Sequence, residues 1–355
     1  MRKLDRPYTD PSYLFRHGGA AAPGLLDFSA SINPLGPSPL VLQAIQDALP
    51  TIGRYPDPEC RELTDRLAGS EWLEPREVVV GNGSNDLIHA ITRAFQPRRV
   101  AIVEPTYTEY LRAALLTGAE VDHWLADGDD FAVQPFDVGD ADLVWLCSPN
   151  SPTGQVLSGS MHAWVRDFPT TMFVVDAAFE QMMIGKGAIS NVHPFWELIP
   201  NLIKLKSLTK YFALPGLRLG YATGRVDLME KVKRQLVPWS VNTLAQVAGL
   251  AAMGEFQAFY LRSRLGYADE VAAFRSQLAM MSQHVHVVPG QANFVLLRLL
   301  TTTAPALCNR LAERGIAVRD ASNFVGLDER YVRIAVRTPA DNQRLLTELK
   351  SILEG

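Results

Sequence analysis

A chain of 355 residues exceeds one ordinary core, so its length points to two domains. Hydrophobic residues make up 47% and charged residues 20%, a folding composition with ample apolar material. Lysine and arginine total 34 against 38 acids, a formal charge of −4, which excludes a broadly basic nucleic-acid-binding surface and leaves phosphates to local arginines.

Cys60, Cys147 and Cys308 lie far apart, without metal-ligand spacing or a CxxC pair. That predicts no metal site and a reduced, cytoplasmic setting. The opening MRKLDRPYTDPSYLFRHGG lacks the apolar segment of a secretory signal. No run approaches the roughly 18 apolar residues of a bilayer span, so no membrane partner is expected.

Residues 1–35 are rich in Pro, Gly and Ser and read as an irregular arm. PLVLQAIQDALP (39–50) predicts an amphipathic helix between prolines, and RYPDPECRELTDRLAG an extended turn followed by a helix closed by Gly69. Alternation then sets in. REVVVGNGSNDLIHAITRAF and RRVAIVEPTYTEYLRAALLTG each run from strand through turn to helix, and AEVDHWLA adds a strand. ADLVWLCSPNSPTGQ, TTMFVVDAAFEQMM, NLIKLKSLTK and LRLGYATG supply four more. Continuous apolar strands separated by helices predict a mostly parallel sheet covered on both faces, with ligands at the strands' carboxyl ends. Residues 242–283 read as helix with a break near Gly266, and the remainder as a smaller α+β unit. The expected division is an arm over 1–35, a large domain over 36–241, and a linking helix with a small domain over 242–355.

The polar residues gather at the strand ends. Gly81 and Gly83 allow a tight turn, after which the N–H groups of Gly83, Ser84 and Asn85 open a helix and can cradle a phosphate. The spacing fits neither GxGxxG nor GxxxxGK[ST]. Asp176 closes the apolar strand MFVVD, where a carboxylate is costly without a cationic or donor partner. Lys210 follows Ser207 and Thr209, with Arg218 downstream. A lysine among apolar or cationic groups gives up its proton readily and becomes a nucleophile toward a carbonyl. Tyr107, in EPTYTEY, offers an aromatic plate. A covalent lysine, a strand-end acid for a protonated ring nitrogen, an anion cradle and a stacking ring together match pyridoxal 5'-phosphate. Arg319 and Arg333 can hold two anionic ends of a substrate, with Arg337 on the same face as the natural confusion. His284 and His286 share a strand face but lack a third ligand, while His17 precedes Gly18-Gly19, which permit close approach to a ligand.

Those segments carry a family resemblance. RHGG (16–19), DFSASINPLG, RYPDP, SLTKYFALPGLRLGY, VPWSVN, GQANFVLLR and VRDASNFVGLDERYVRIAVR are similar to the fold type I pyridoxal-phosphate enzymes of the histidinol-phosphate aminotransferase group. RHGG, PWSVN and the last segment look most like its threonine-phosphate decarboxylase branch. The resemblance implies an α/β aminotransferase-like fold, with a mostly parallel seven-stranded sheet in the large domain. It implies that Lys210 carries the cofactor and that Asp176 holds the ring nitrogen. Gly83, Ser84, Asn85, Ser207, Thr209 and Arg218 would surround the cofactor phosphate, with Tyr107 stacked on the ring. Tyr55 would reach the phosphate in the neighbouring subunit, implying a homodimer. Arg333 would clamp the substrate carboxylate, while Arg319, His17 and Gly18 would meet its phosphate.

Several positions depart from the family pattern. Asn150-Ser151-Pro152-Thr153-Gly154 stands for NNPTG, so either Ser151 or Asn150 must meet the ring hydroxyl. Phe179 replaces a common tyrosine and Ala177 a glutamate. Ser31 stands for a substrate-contacting asparagine, and Lys206 and Gln291 for arginines. The implied activities are decarboxylation of O-phospho-L-threonine on the route to cobalamin or, alternatively, histidinol-phosphate-type transamination with 2-oxoglutarate.

Overall fold

The computed structural model describes residues 1–4, 17–19, 21–184 and 199–355, and of 264–266 the backbone alone. Much of the expected arm, residues 5–16 and 20, therefore lies outside the described residues. Its described parts include two short strands, β1 (Arg2–Lys3) and β2 (Leu26–Asp27). Helix α1 (Pro39–Ala48) starts at Ser38, whose hydroxyl accepts from the Leu40 N–H, with proline at the first helical position. Helix α2 (Arg61–Glu71) runs through Gly69 rather than ending there. Trp72 adopts the left-handed turn instead, at φ 61°, and the N–H groups of Trp72 and Leu73 both return to the Ala68 carbonyl.

The alternating region follows as β3 (Val78–Gly81), α3 (Gly83–Phe95), β4 (Arg99–Glu104), α4 (Glu109–Leu116) and β5 (Glu120–Leu125). Next come β6 (Leu143–Cys147), α5 (Met161–Arg166), β7 (Met172–Asp176), β8 (Leu202–Ser207), the single turn α6 (Leu208–Tyr211) and β9 (Gly220–Thr223). The sheet order is β1-β5-β4-β6-β7-β8-β9-β3. Strands β5, β4, β6, β7 and β8 pair in parallel, while β9 runs antiparallel to both β8 and β3. All seven expected strands are present. The arm adds an eighth, β1, antiparallel on the edge of β5.

Alternate residues of these strands enter different cores, as strand geometry requires. Ile102, Trp145, Val174 and Ile203 pack with α3 and α4, whereas Ala101, Val144, Phe173 and Val175 pack with Met161 and Trp164 of α5. Because both faces are covered, β6 (LVWLC) is buried throughout. The parallel register carries the ends of β4, β6, β7 and β8, at Glu104, Cys147, Asp176 and Ser207, to one sheet edge.

Helix α7 (Val226–Lys233) leads to α8 (Thr243–Gly254) and α9 (Phe256–Ala279). The interruption falls at Glu255, and the backbone is helical through position 266, where a break was expected. Beyond lie β10 (Val285–Val287), β11 (Phe294–Leu299), α10 (Ala304–Glu313), β12 (Ile316–Ala317), β13 (Arg319–Asp320), β14 (Tyr331–Ala335) and α11 (Pro339–Glu354). A four-stranded antiparallel sheet, β10-β11-β14-β13, forms this part, while β12 pairs in parallel with β2. Phe28 buries itself among Leu297, Val332 and Leu345, so the segment after β2 is anchored in the second core. Among the described residues, no helix is long and apolar enough to cross a membrane.

Candidate active site

The strand ends of the large sheet and the face of the small sheet enclose one cavity. It is lined by Lys210, Asp176, Tyr107, Ser84, Asn85, Ser151, Ser207, Thr209, Arg218, His17, Gly18, Ser31, Arg319 and Arg333. These include most of the residues singled out from the sequence, although they span positions 17 to 333.

Lys210 sits one residue past Thr209 in α6, directly after β8. Burial, then the positive fields of Arg333 and Arg218, push its amine down to about 8, against the partial opposition of Asp176. Asp176 ends β7 with its carboxylate buried. Its Oδ2 accepts the Tyr110 hydroxyl at 2.7 Å and its Oδ1 the Ala178 N–H at 2.9 Å. Burial still raises its pKa, so the carboxylate lacks the full cationic partner that a protonated ring nitrogen supplies. Tyr110, stacked on Trp145 at 4.7 Å, holds the acid in place. Tyr107 turns its edge to Tyr110, with centroids 5.8 Å apart, and its hydroxyl lies 3.5 Å from Asn85 Oδ1.

The anion cradle forms where β3 enters α3. No side chain caps the first turn of α3, so its leading N–H groups remain available. Gly83 has φ +79°, and a Cβ there would strike the Arg218 guanidinium, with Nη2 at 2.5 Å. Only glycine lets that cation approach the turn. Arg218 itself is left-handed at φ 57°, a conformation its side chain disfavours and its surroundings impose. The hydroxyls of Ser207 and Thr209 lie 2.8 Å apart beside it. Lys210, Arg218, Arg319 and Arg333 thus converge on a cavity whose lining carboxylate is Asp176. This surplus of positive charge, with a cradle built to exclude a methyl group, fits a phosphate-bearing pyridine aldehyde.

Arg319 and Arg333 face each other across paired strands. Like charges directly opposite are destabilising, and a bound anion would offset that cost. Burial, and then Arg319, pull Arg333 down to about 9. Its Nη1 donates to Ser151 Oγ at 2.6 Å and its Nη2 to the Ser29 carbonyl at 2.9 Å, while Nε has no partner among the described residues. Arg319 donates to the Asp320 carbonyl at 2.5 Å and to Asn323 Oδ1 at 2.6 Å. The Ser31 hydroxyl is buried without a partner among the described residues, as a ligand-facing group would be. Arg337, by contrast, pairs with Asp341 at 3.1 Å and lies outside the lining.

Three positions expected around the cofactor, Asn150, Tyr55 and Gly83, are not among the lining residues, and for Tyr55 that agrees with a place in the neighbouring subunit. Asn150 turns into its own loop, donating to the Pro105 carbonyl and Thr153 Oγ1 and accepting from Thr106, so Ser151 is the member of that pair facing the cavity. Tyr55 is 83% exposed against Trp239 and does not line this chain's cavity. Gly83 contributes through its neighbour Arg218. Tyr110, Phe324, Ser29 and Phe179 also line the cavity. Of these, Tyr110 was foreseeable, because a buried strand-end acid calls for a donor and EPTYTEY holds two tyrosines.

Fold and site together define a pyridoxal 5'-phosphate enzyme of fold type I. The chain belongs to the aminotransferase class I and II family, whose profile matches residues 23–349. It is 35% identical to the threonine-phosphate decarboxylase of Salmonella typhimurium over 346 residues, covering 95% of this chain and 93% of that protein. The crystal structure of L-threonine-O-3-phosphate decarboxylase from Porphyromonas gingivalis superimposes with a TM-score of 0.83 at 30% identity, covering 92% of this chain and 99% of that one. The histidinol-phosphate aminotransferase of Clostridium acetobutylicum gives 0.86 at 28% identity, covering 93% and 99%.

Proposed function

We propose that the protein removes the carboxyl group of O-phospho-L-threonine as CO2, leaving (R)-1-aminopropan-2-yl phosphate for cobalamin assembly in the cytoplasm. The observation that carries this reading is the cross-strand pair Arg319–Arg333, with the unpartnered Ser31 hydroxyl beside it. Two guanidiniums beyond the cofactor's own Arg218 suit a substrate with a carboxylate and a phosphate. The similarity to the Salmonella decarboxylase over nearly the whole chain supports the same choice. The three cysteines are free, which accords with a reducing compartment.

Bound pyridoxal phosphate would supply an electron sink for the bond broken at the substrate's α-carbon. Asp176 would keep the ring nitrogen protonated, and Ser84, Asn85, Ser207, Thr209 and Arg218 would hold the phosphate. Arg333 would orient the departing carboxylate, and the Lys210 amine, near 8, can return one proton to that carbon around neutral pH. Phe179, buried against Phe294 with centroids at 5.1 Å, offers no hydroxyl to the ring.

Transamination of histidinol phosphate with 2-oxoglutarate is the second reading, favoured by the close structural match to the Clostridium enzyme. The two readings part in one assay. Holoenzyme given O-phospho-L-threonine and no oxo acid should release CO2 and amine phosphate in equal amounts. A strict requirement for 2-oxoglutarate, with no CO2 formed, would establish transamination instead.

A further inference from the structure

Glu109 opens α4 and is fully buried, yet it is not among the residues lining the cavity. Its Oε1 meets Nε2 of His17 at 3.1 Å. Its Oε2 accepts from Asn85 Nδ2 at 3.1 Å and meets Nε2 of His89 at 3.2 Å, while Arg112 Nη1 lies at 3.4 Å. Burial opposes this charge, but the hydrogen bonds of His17, His89 and Asn85, with Arg112, outweigh it and hold the carboxyl well below its usual range. An ionised carboxylate only accepts, so Nε2 of each imidazole carries a proton in these contacts.

Two of those four donors, His17 and Asn85, line the cavity from different parts of the chain. Asn85 belongs to the phosphate cradle and His17 to the arm. The arm is fastened a second time, on the opposite side. The Gly19 N–H donates to Ser29 Oγ at 2.8 Å, and Gly18 packs so closely on the Ser29 carbonyl that a Cβ could not fit. That same carbonyl accepts from Arg333. Segment 17–19 is therefore pinned between the Glu109 carboxylate and the Arg333 side of the cavity.

We propose that Glu109 is a positioning residue whose carboxylate seats His17, and with it segment 17–19, against the cavity and ties that seating to Asn85 of the cradle. The imidazole then meets the phosphate of the substrate in one fixed orientation. This deepens the reading above and rests on the site taking a phosphate-bearing amino acid.

The test compares Glu109→Gln, His17→Ala, the double variant and His89→Ala as holoenzymes. Hydrogen exchange at the Gly19 amide should quicken about tenfold in Glu109→Gln and in His17→Ala, as the loss of a hydrogen bond to a charged group implies, and stay unchanged in His89→Ala. Unchanged exchange in Glu109→Gln, or equal quickening in His89→Ala, would overturn the proposal whatever reaction the enzyme performs. The KM for O-phospho-L-threonine should rise about tenfold in each of the first two, with kcat within about twofold. The double variant should be no worse than either single one. Multiplying effects would show that Glu109 acts apart from His17. If wild-type enzyme ignores O-phospho-L-threonine, the functional reading fails while the exchange result still decides the seating. If Glu109→Gln does not fold, exchange in His17→Ala decides alone, and no change at Gly19 there refutes the idea.

Discussion

At Lys210, burial and two guanidiniums act in the same direction on one amine. With a folded value near 8 and an unfolded value of about 10.4, the ammonium is disfavoured by folding. Below pH 8 both states are charged and the whole penalty applies. As pH rises through 8 the folded state sheds its proton, and the penalty fades toward pH 10. Cofactor-free Lys210→Met should therefore melt at a higher temperature than wild type at pH 7, with the gap closing by pH 10; a gap independent of pH would contradict the shift. The same variant should lack turnover and the visible absorbance of attached cofactor. Lys210 and Asp176 were legible because each stands at the end of a strand, and Arg218 because it sits between the Pro215-Gly216 turn and β9. Glu109 was not, because its partners come from α3 and the arm, and no spacing in the sequence records those meetings. Asn150 and Ser151 were left open for a related reason. Loop backbone, not residue type, decides which side chain turns inward.

Within β8, lysines 204 and 206 interrupt an otherwise apolar strand, and both are buried on the same face. Lys204 meets Glu180 at 2.7 Å, and Lys206 meets Glu71 at 2.6 Å and Glu180 at 3.1 Å. The Tyr221 hydroxyl adds a bond to Glu71 at 2.5 Å. Glu180 lies four residues beyond Asp176, so this network joins the acid's loop to the strand that presents Lys210. Burial disfavours the Glu180 charge, but Lys206 and Lys204 prevail and lower its pKa, so its contribution disappears as acid protonates it. Glu180→Ala should strand the buried Lys204 ammonium, while Lys206 keeps Glu71, and cost about 3–5 kcal/mol in denaturant unfolding. A loss below about 1 kcal/mol would mean that water reaches the lysines. The elements themselves were readable because their periodicities are strong. The misplaced ends, at Gly69 and Gly266, share one cause: a glycine inside a helix costs only about 1 kcal/mol, so it need not end one. The eighth strand escaped notice because two residues of an irregular arm carry no strand pattern and pair only through the edge that β5 offers.

For the whole molecule, the unabsorbed feature is a set of apolar side chains left in water. Tyr55 is 83% exposed, Ile52 63% and Val237 69%, and Tyr55 rests on Trp239 with ring centroids 5.1 Å apart. Exposed aromatic and aliphatic groups meeting in one place mark an interaction surface. A second copy of the chain would cover this patch and, in a two-fold pair, would bring Tyr55, which stays outside its own cavity, to the partner's cofactor phosphate. The protein should therefore sediment as a dimer at micromolar concentration. Tyr55→Phe should keep the dimer while weakening cofactor retention several-fold, the worth of one hydrogen bond of about 1 kcal/mol. Trp239→Ala should shift the equilibrium toward monomer and lower cofactor occupancy with it, because a cradle that lacks its contribution from the second copy holds phosphate less tightly. A monomer that keeps the cofactor as firmly as the wild type would break the link between assembly and site, and would confine Tyr55 to a surface role.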